Sequence, residues 1–170
     1  MAANKPDAKT AVFMDSANDG EFDELKSIYQ EATQEEKKSF LTYKNVSMQS
    51  SALHLAANNG NSDIVEFICD CINDEFPSLK DMMINLENKF KFTPLLSVCF
   101  RGYLTKGTKK DADQDRIRIV RCLIKNGARA SYVTSDTKLS ALHWAAYNKD
   151  YAVVKELLLA GAPWGQFSAM

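Results

Sequence analysis

Ser140-Ala141-Leu142-His143-Trp144-Ala145-Ala146 and Ser51-Ala52-Leu53-His54-Leu55-Ala56-Ala57 follow one pattern, Ser-Ala-Leu-His-x-Ala-Ala. Thr93-Pro94-Leu95-Leu96-Ser97-Val98-Cys99 is a looser third copy. In each copy a hydroxyl residue precedes a helical run, where its oxygen can accept from the free N–H groups of the first turn. Pro94 follows Thr93, and proline suits the first helical position because the N–H it lacks would have no partner there. Downstream runs match too. Asp63-Ile64-Val65-Glu66-Phe67-Ile68 aligns with Ala152-Val153-Val154-Lys155-Glu156-Leu157, and Arg118-Ile119-Val120-Arg121-Cys122-Leu123 is the third version. The repeating unit is therefore a helix, a tight turn and a second helix.

Glycines punctuate these units. Gly20, Gly60 and Gly102 stand at the ends of first helices, where a left-handed residue is least costly for glycine. Gly127 and Gly161, each followed by alanine, stand at the ends of second helices. Lys149 occupies the place held by Gly60 and Gly102, and a left-handed backbone there costs lysine about 1 kcal/mol.

The motif resembles the ankyrin repeat, whose short signature is Thr-Pro-Leu-His-x-Ala at a period of about 33 residues. The best copy runs from Ser140 to Ala162, and the resemblance extends from Val12 to Pro163. It implies an all-α solenoid of helix-turn-helix units with hairpin tips, about four repeats long. Residues 1–10 are expected to be disordered. The array then divides into a divergent capping repeat (11–43), a repeat at 44–84, a repeat at 85–130 with an inserted loop at 103–116, and a repeat at 131–170 that can continue beyond it. In the first repeat Phe13 falls on Leu53 and Ala17 on Ala57, while Asp15 and Ser16 suggest the polar outer face of a terminal repeat. The charged stretch Gln34 to Tyr43 has room for an extra helical turn.

The intervals from Phe13 to Leu53, Leu53 to Leu95 and Leu95 to Leu142 all exceed the family period. The second helix after Leu53 has no Gly-Ala stop, so it should run through Cys71 and Ile72 until Pro77 ends it. Ser78 then suits the cap of a short helical piece, Leu79 to Ile84. Residues 103–116 are poor in apolar side chains and rich in charge, which predicts a solvated loop.

The 170 residues carry a net charge of −1, with 45% hydrophobic residues. That balance supplies a core but no basic face for general nucleic-acid binding. No apolar run approaches the roughly 20 residues that span a bilayer. The N-terminal stretch lacks the apolar core of a signal peptide, and four cysteines without such a leader suggest reduced thiols in a cytoplasmic protein. A monomer without cofactor is expected, with membrane association only through a parent protein.

Chemistry-bearing clusters are scarce. His54 and His143 occupy one position in two repeats and are expected to bridge backbone groups, as the resemblance implies. Cys69-x-Cys71 has no second cysteine pair from which to build a four-ligand zinc site. Cys69, Cys99 and Cys122 fall at apolar helix positions and suit small core residues. Asp111-x-Asp113-x-Asp115 begins like a calcium loop, but Arg116 and Cys122 stand where the glycine and the bidentate glutamate belong. Neither catalytic residues nor metal ligands emerge.

The resemblance places a protein partner on the concave side, made by the hairpin tips and the outward face of the first helices. Carried over by position, the helix residues are Asn58, Asn59, Phe100, Arg101, Tyr147 and Asn148. The tips contribute Met48, Lys89, Phe90, Phe92 and Leu139. Phe90, Phe92, Phe100 and Tyr147 form a prospective apolar stripe with Arg101 and Lys89 beside it, and aromatics and arginine dominate binding hot spots. Two functions fit: a protein-interaction module, or a regulatory segment of a larger enzyme or membrane protein of kinase, acyltransferase or channel type.

Overall fold

The computed structural model of the chain describes residues 6–100 and 109–163, the side chains of 109–112 excepted. Four helix pairs stack side by side. They are α1 (Ala8–Asp19) with α2 (Phe22–Glu31), α4 (Ala52–Asn59) with α5 (Ser62–Glu75), α7 (Pro94–Phe100) with α8 (Lys109–Lys125), and α9 (Ala141–Tyr147) with α10 (Tyr151–Leu159). Two further helices lie between pairs, α3 (Gln34–Thr42) and α6 (Lys80–Ile84). The first helices form an inner layer in which α4 packs on α1 and α7, and α7 packs on α9. The second helices form an outer layer in which α8 touches α5 and α10. Among the described residues the only strand-like pairing is one bridge between Val133 and Ser140.

The core lies between the two layers. Leu53 and Leu95 are buried at equivalent points, and so are Ile64, Ile68, Ile119 and Leu123 from the outer helices. Leu142, the third member of the leucine series, is only partly buried. Leu53 is flanked by first helices on both sides, whereas among the described residues α9 packs on one first helix, α7.

Several expectations need correction. Residues 8–10 are helical rather than disordered, because Asp7 caps α1 by accepting from the Thr10 N–H at 2.8 Å. Ser16 is buried instead of lying on a polar outer face, and its hydroxyl donates to Glu24 at 2.8 Å. The stretch after α2 forms a full helix, not a single turn. Thr33 and Glu36 close a reciprocal capping box at its start, and Phe40 stacks on Phe13 with ring centroids 4.9 Å apart. Pro77–Leu79 is a 3-10 turn leading into α6, with no capping bond from Ser78. The expected loop at 103–116 is helix from Lys109 onward; residues 103–108, with Gly102, lie outside the described residues. Asp115 accepts from the Ser62 hydroxyl at 2.9 Å, and Arg116 reaches Asp150 at 3.3 Å. These contacts tie the charged start of α8 to both neighbouring repeats.

Paired charges join the outer layer. Arg118 meets Glu66 through two bonds of 2.6 Å and Asp63 at 2.8 Å. Arg121 meets Glu156 at 2.7 Å. These groups are largely exposed, so each pair contributes little singly, on the order of 1 kcal/mol or less.

Each described hairpin tip has one recurrent strained residue. Gln49, Lys91 and Lys138 have φ of 52°, 61° and 56°, and each stands two residues before Ser51, Thr93 or Ser140. Lys149 likewise has φ of 59°, beside 86° and 81° at Gly20 and Gly60. Lys149→Gly is expected to stabilise the protein by about 0.5–1 kcal/mol, because strain relief outweighs the added freedom of the unfolded chain. Urea unfolding measures it, and an unchanged or lower midpoint would refute the strain.

Candidate partner-binding face

The tips are built by polar side chains that hold their own backbone. The Asn45 carboxamide oxygen accepts from the Met48 and Ser50 N–H groups at 3.1 and 3.0 Å. Asn88 does the same for Phe90 and Phe92 at 2.9 and 3.1 Å. Thr134 takes this place in the last tip and accepts from the Leu139 N–H at 3.2 Å. Neighbouring tips are joined as well: the Lys89 N–H donates to the Met48 carbonyl at 2.9 Å, and Lys89 Nζ to the Ser47 carbonyl at 2.5 Å.

His54 fixes the next tip. Its Nε2 lies 2.9 Å from the Phe92 carbonyl, which can only accept, so Nε2 carries the proton. Nδ1 is left to accept from the Ser51 N–H at 3.2 Å and the Ser51 hydroxyl at 2.8 Å. Burial pulls the His54 pKa down to about 4, with the Lys44 charge adding to the effect against the opposing hydrogen bond to Phe92. The ring is thus a neutral bracket between repeats. His143 repeats the local half of this arrangement, with Nδ1 3.1 Å from the Ser140 N–H and 2.7 Å from its hydroxyl.

Phe92, held by that bracket, is the inner member of an aromatic cluster. Its ring centroid is 6.3 Å from Phe90, 5.2 Å from Phe100 and 6.3 Å from Trp144. Trp144 meets Phe100 edge-on at 4.6 Å and Tyr147 at 6.1 Å. Phe90, Phe100 and Tyr147 are 49%, 37% and 79% exposed, while Phe92 packs partly into the core. Lys89 Nζ sits 5.1 Å from the Phe90 centroid. All four aromatics named from the sequence therefore meet in one patch. Trp144, which joins the third repeat's rings to Tyr147, is missing from that set because it fills the variable position of Ser-Ala-Leu-His-x-Ala-Ala.

The other residues on this side have structural ties. Asn59 Nδ2 donates to the Asn18 carbonyl and Oδ1, both at 2.9 Å, and Asn58 Nδ2 reaches Asn59 Oδ1 at 3.4 Å. Asn148 Nδ2 donates to the Cys99 carbonyl at 2.9 Å. Met48 is 44% exposed on the preceding tip, and Leu139 is half-buried on the last one. Arg101 lies outside the described residues.

Asp113 pairs with Arg116 at 3.5 Å, while Asp115 is engaged by Ser62; the side chain of Asp111 lies outside the described residues. No cluster of three metal-ligating side chains occurs among the described residues.

An ankyrin-repeat family model matches residues 49–76 and 137–166, which span the second and fourth helix pairs with parts of their tips. The chain carries ankyrin repeats. Its fold is the all-α ankyrin solenoid, and ankyrin repeats are in general non-catalytic modules for protein interaction. The curated proteins contain no match to this chain. Among the described residues no helix of this ankyrin array is long and apolar enough to cross a membrane.

Proposed function

We propose that this ankyrin array is a non-enzymatic interaction module that takes a protein segment on the aromatic patch of its third and fourth repeats. The patch itself carries the reading: Phe90, Phe100 and Tyr147 stay exposed although they belong to one cluster with Phe92 and Trp144. Rings held by their neighbours lose little freedom when a partner covers them, which limits the entropic cost of association. Lys89 lies beside Phe90 and makes no ion pair among the described residues, so the fitting partner offers a carboxylate next to an apolar or aromatic side chain. Met48 extends the patch toward the second repeat. Asn59 and Asn148 also join repeats, and Asn58 supports Asn59.

A displayed peptide library panned on the protein tests this. Retained peptides should combine an aromatic or large aliphatic residue with a nearby acid. Phe90→Ala with Tyr147→Ala should weaken them by about 30-fold or more, since a hot-spot ring is worth about 2 kcal/mol or more. Lys155→Glu, exposed on α10, should retain them. Equal retention by the double alanine variant would sink the assignment of the face.

A further inference from the structure

The two parallel outer helices α5 and α8 run in register, and the register brings two thiols together. Ser62 meets Asp115, and Asn73 meets Asn126 through a 2.7 Å bond; both pairs have a sequence separation of 53. Cys69 and Cys122 have the same separation and stand one helical turn before Asn73 and Asn126. The shared register therefore sets the two thiols against each other across α5 and α8, and each shifts the other's titration. Cys69 is fully buried, whereas Cys122 is half-buried and lines a groove of about 680 Å³ between the helices.

We propose that Cys122 is a hydroperoxide-reactive modification site and that Cys69 resolves it, closing a disulfide between the second and third repeats. The two sulfurs have different roles because Cys122 opens to the groove while Cys69 is sealed in the core. Asn126 Nδ2 donates to Cys122 Sγ at 3.6 Å, and the neighbouring Cys69 thiol is the chief influence that lowers the Cys122 pKa. The Cys122 sulfur beside it, and then burial, push the Cys69 pKa upward. Burial raises Cys71 to about 11 and Cys99 to about 12. Glu66, Asp70, Arg118, Arg121 and Lys125 also border the groove, so both signs of charge face the thiol. A thiolate with solvent access is the form that peroxides oxidise.

The chemistry closes without a further reagent when the oxidant is hydrogen peroxide. Cys122 sulfur attacks one peroxide oxygen, the O–O bond breaks, and the departing oxygen takes the Cys122 proton and leaves as water. Cys122 is then a sulfenic acid. Cys69 sulfur attacks Cys122 sulfur, the S–O bond breaks, and the hydroxyl leaves with the Cys69 proton as a second water. Two thiols and one peroxide become one disulfide and two waters, and two electrons pass from the sulfur pair to oxygen.

Treating the purified full chain with hydrogen peroxide tests the pair. The expected product has lost two hydrogens, and its proteolytic map links the peptides of Cys69 and Cys122. Its Tm should rise by about 5 °C or more and return on reduction, because the cross-link closes a long loop. Cys122→Ser should protect Cys69 from peroxide. Cys69→Ala, checked for helicity by circular dichroism, should leave Cys122 as a sulfenic acid that dimedone traps. Linkage of any other cysteine pair, or equal rates of thiol loss in wild type and Cys122→Ser, overturns the proposal. If Cys69→Ala does not fold, the wild-type peptide map decides alone.

Discussion

Leu95→Ala is expected to cost about 2–5 kcal/mol of stability, while Leu142→Ala costs about 1–2 kcal/mol. Both leucines occupy the third position of the repeating motif. Leu95 is fully buried in α7, which packs against first helices on both sides. Its truncation removes transferred apolar area and leaves a cavity that helices held from both sides cannot close. Leu142 is only partly buried, so water can enter the space its side chain leaves. Denaturant unfolding of the two variants measures the contrast. Equal losses would show that stability is uniform along the array, against the stacking described above.

The second large effect depends on pH. His54 has a folded pKa near 4 against an unfolded value near 6.5, so the native state favours the neutral ring. The unfolded chain therefore binds the extra proton between these values. The stabilisation is fully present above about pH 6.5 and is lost as pH falls toward 4. Its full size is about 3 kcal/mol, of which about 2 kcal/mol is gone by pH 5. His54→Gln should be less stable at neutral pH, because it loses the bracket to the Phe92 carbonyl, yet flatter across this window. Urea titrations at about pH 7 and pH 5 give the comparison. An unchanged slope in the variant would assign the pH dependence elsewhere. Protonation falls on Nδ1, so acidification should break the bonds accepted from Ser51 while the Nε2 bond to the Phe92 carbonyl persists.

What the sequence shows and what it hides follows from the range of each interaction. The cap, the histidine and the alanines of Ser-Ala-Leu-His-x-Ala-Ala act within one turn of helix, so the helix pairs are visible in the order of residues. Lys149 was legible for the same reason: its backbone conformation is imposed by a turn that glycine marks in the other units. The helical start of α8 was not legible, because Asp115 and Arg116 reach partners in other repeats. Composition alone makes that stretch look like solvent-exposed loop. Ser16 misleads in the same way, since its partner Glu24 lies on the next helix. In the candidate site, the aromatic residues could be named from position, but Trp144 could not. The motif leaves its place free, and only the stacking of α7 beside α9 gives it a role. The asparagines carry a tie that their outward position does not reveal, since Asn59 and Asn148 reach back to the preceding repeat.

The Phe13–Phe40 stack has a kinetic consequence. It joins α1 to α3 within one short stretch of chain, and Tyr29 from α2 lies 6.1 Å from Phe13 in the same cluster. Local contacts form fastest, and a repeat array grows outward from its first stable neighbours. The three N-terminal helices are therefore expected to seed folding, with refolding proceeding from that end toward α10.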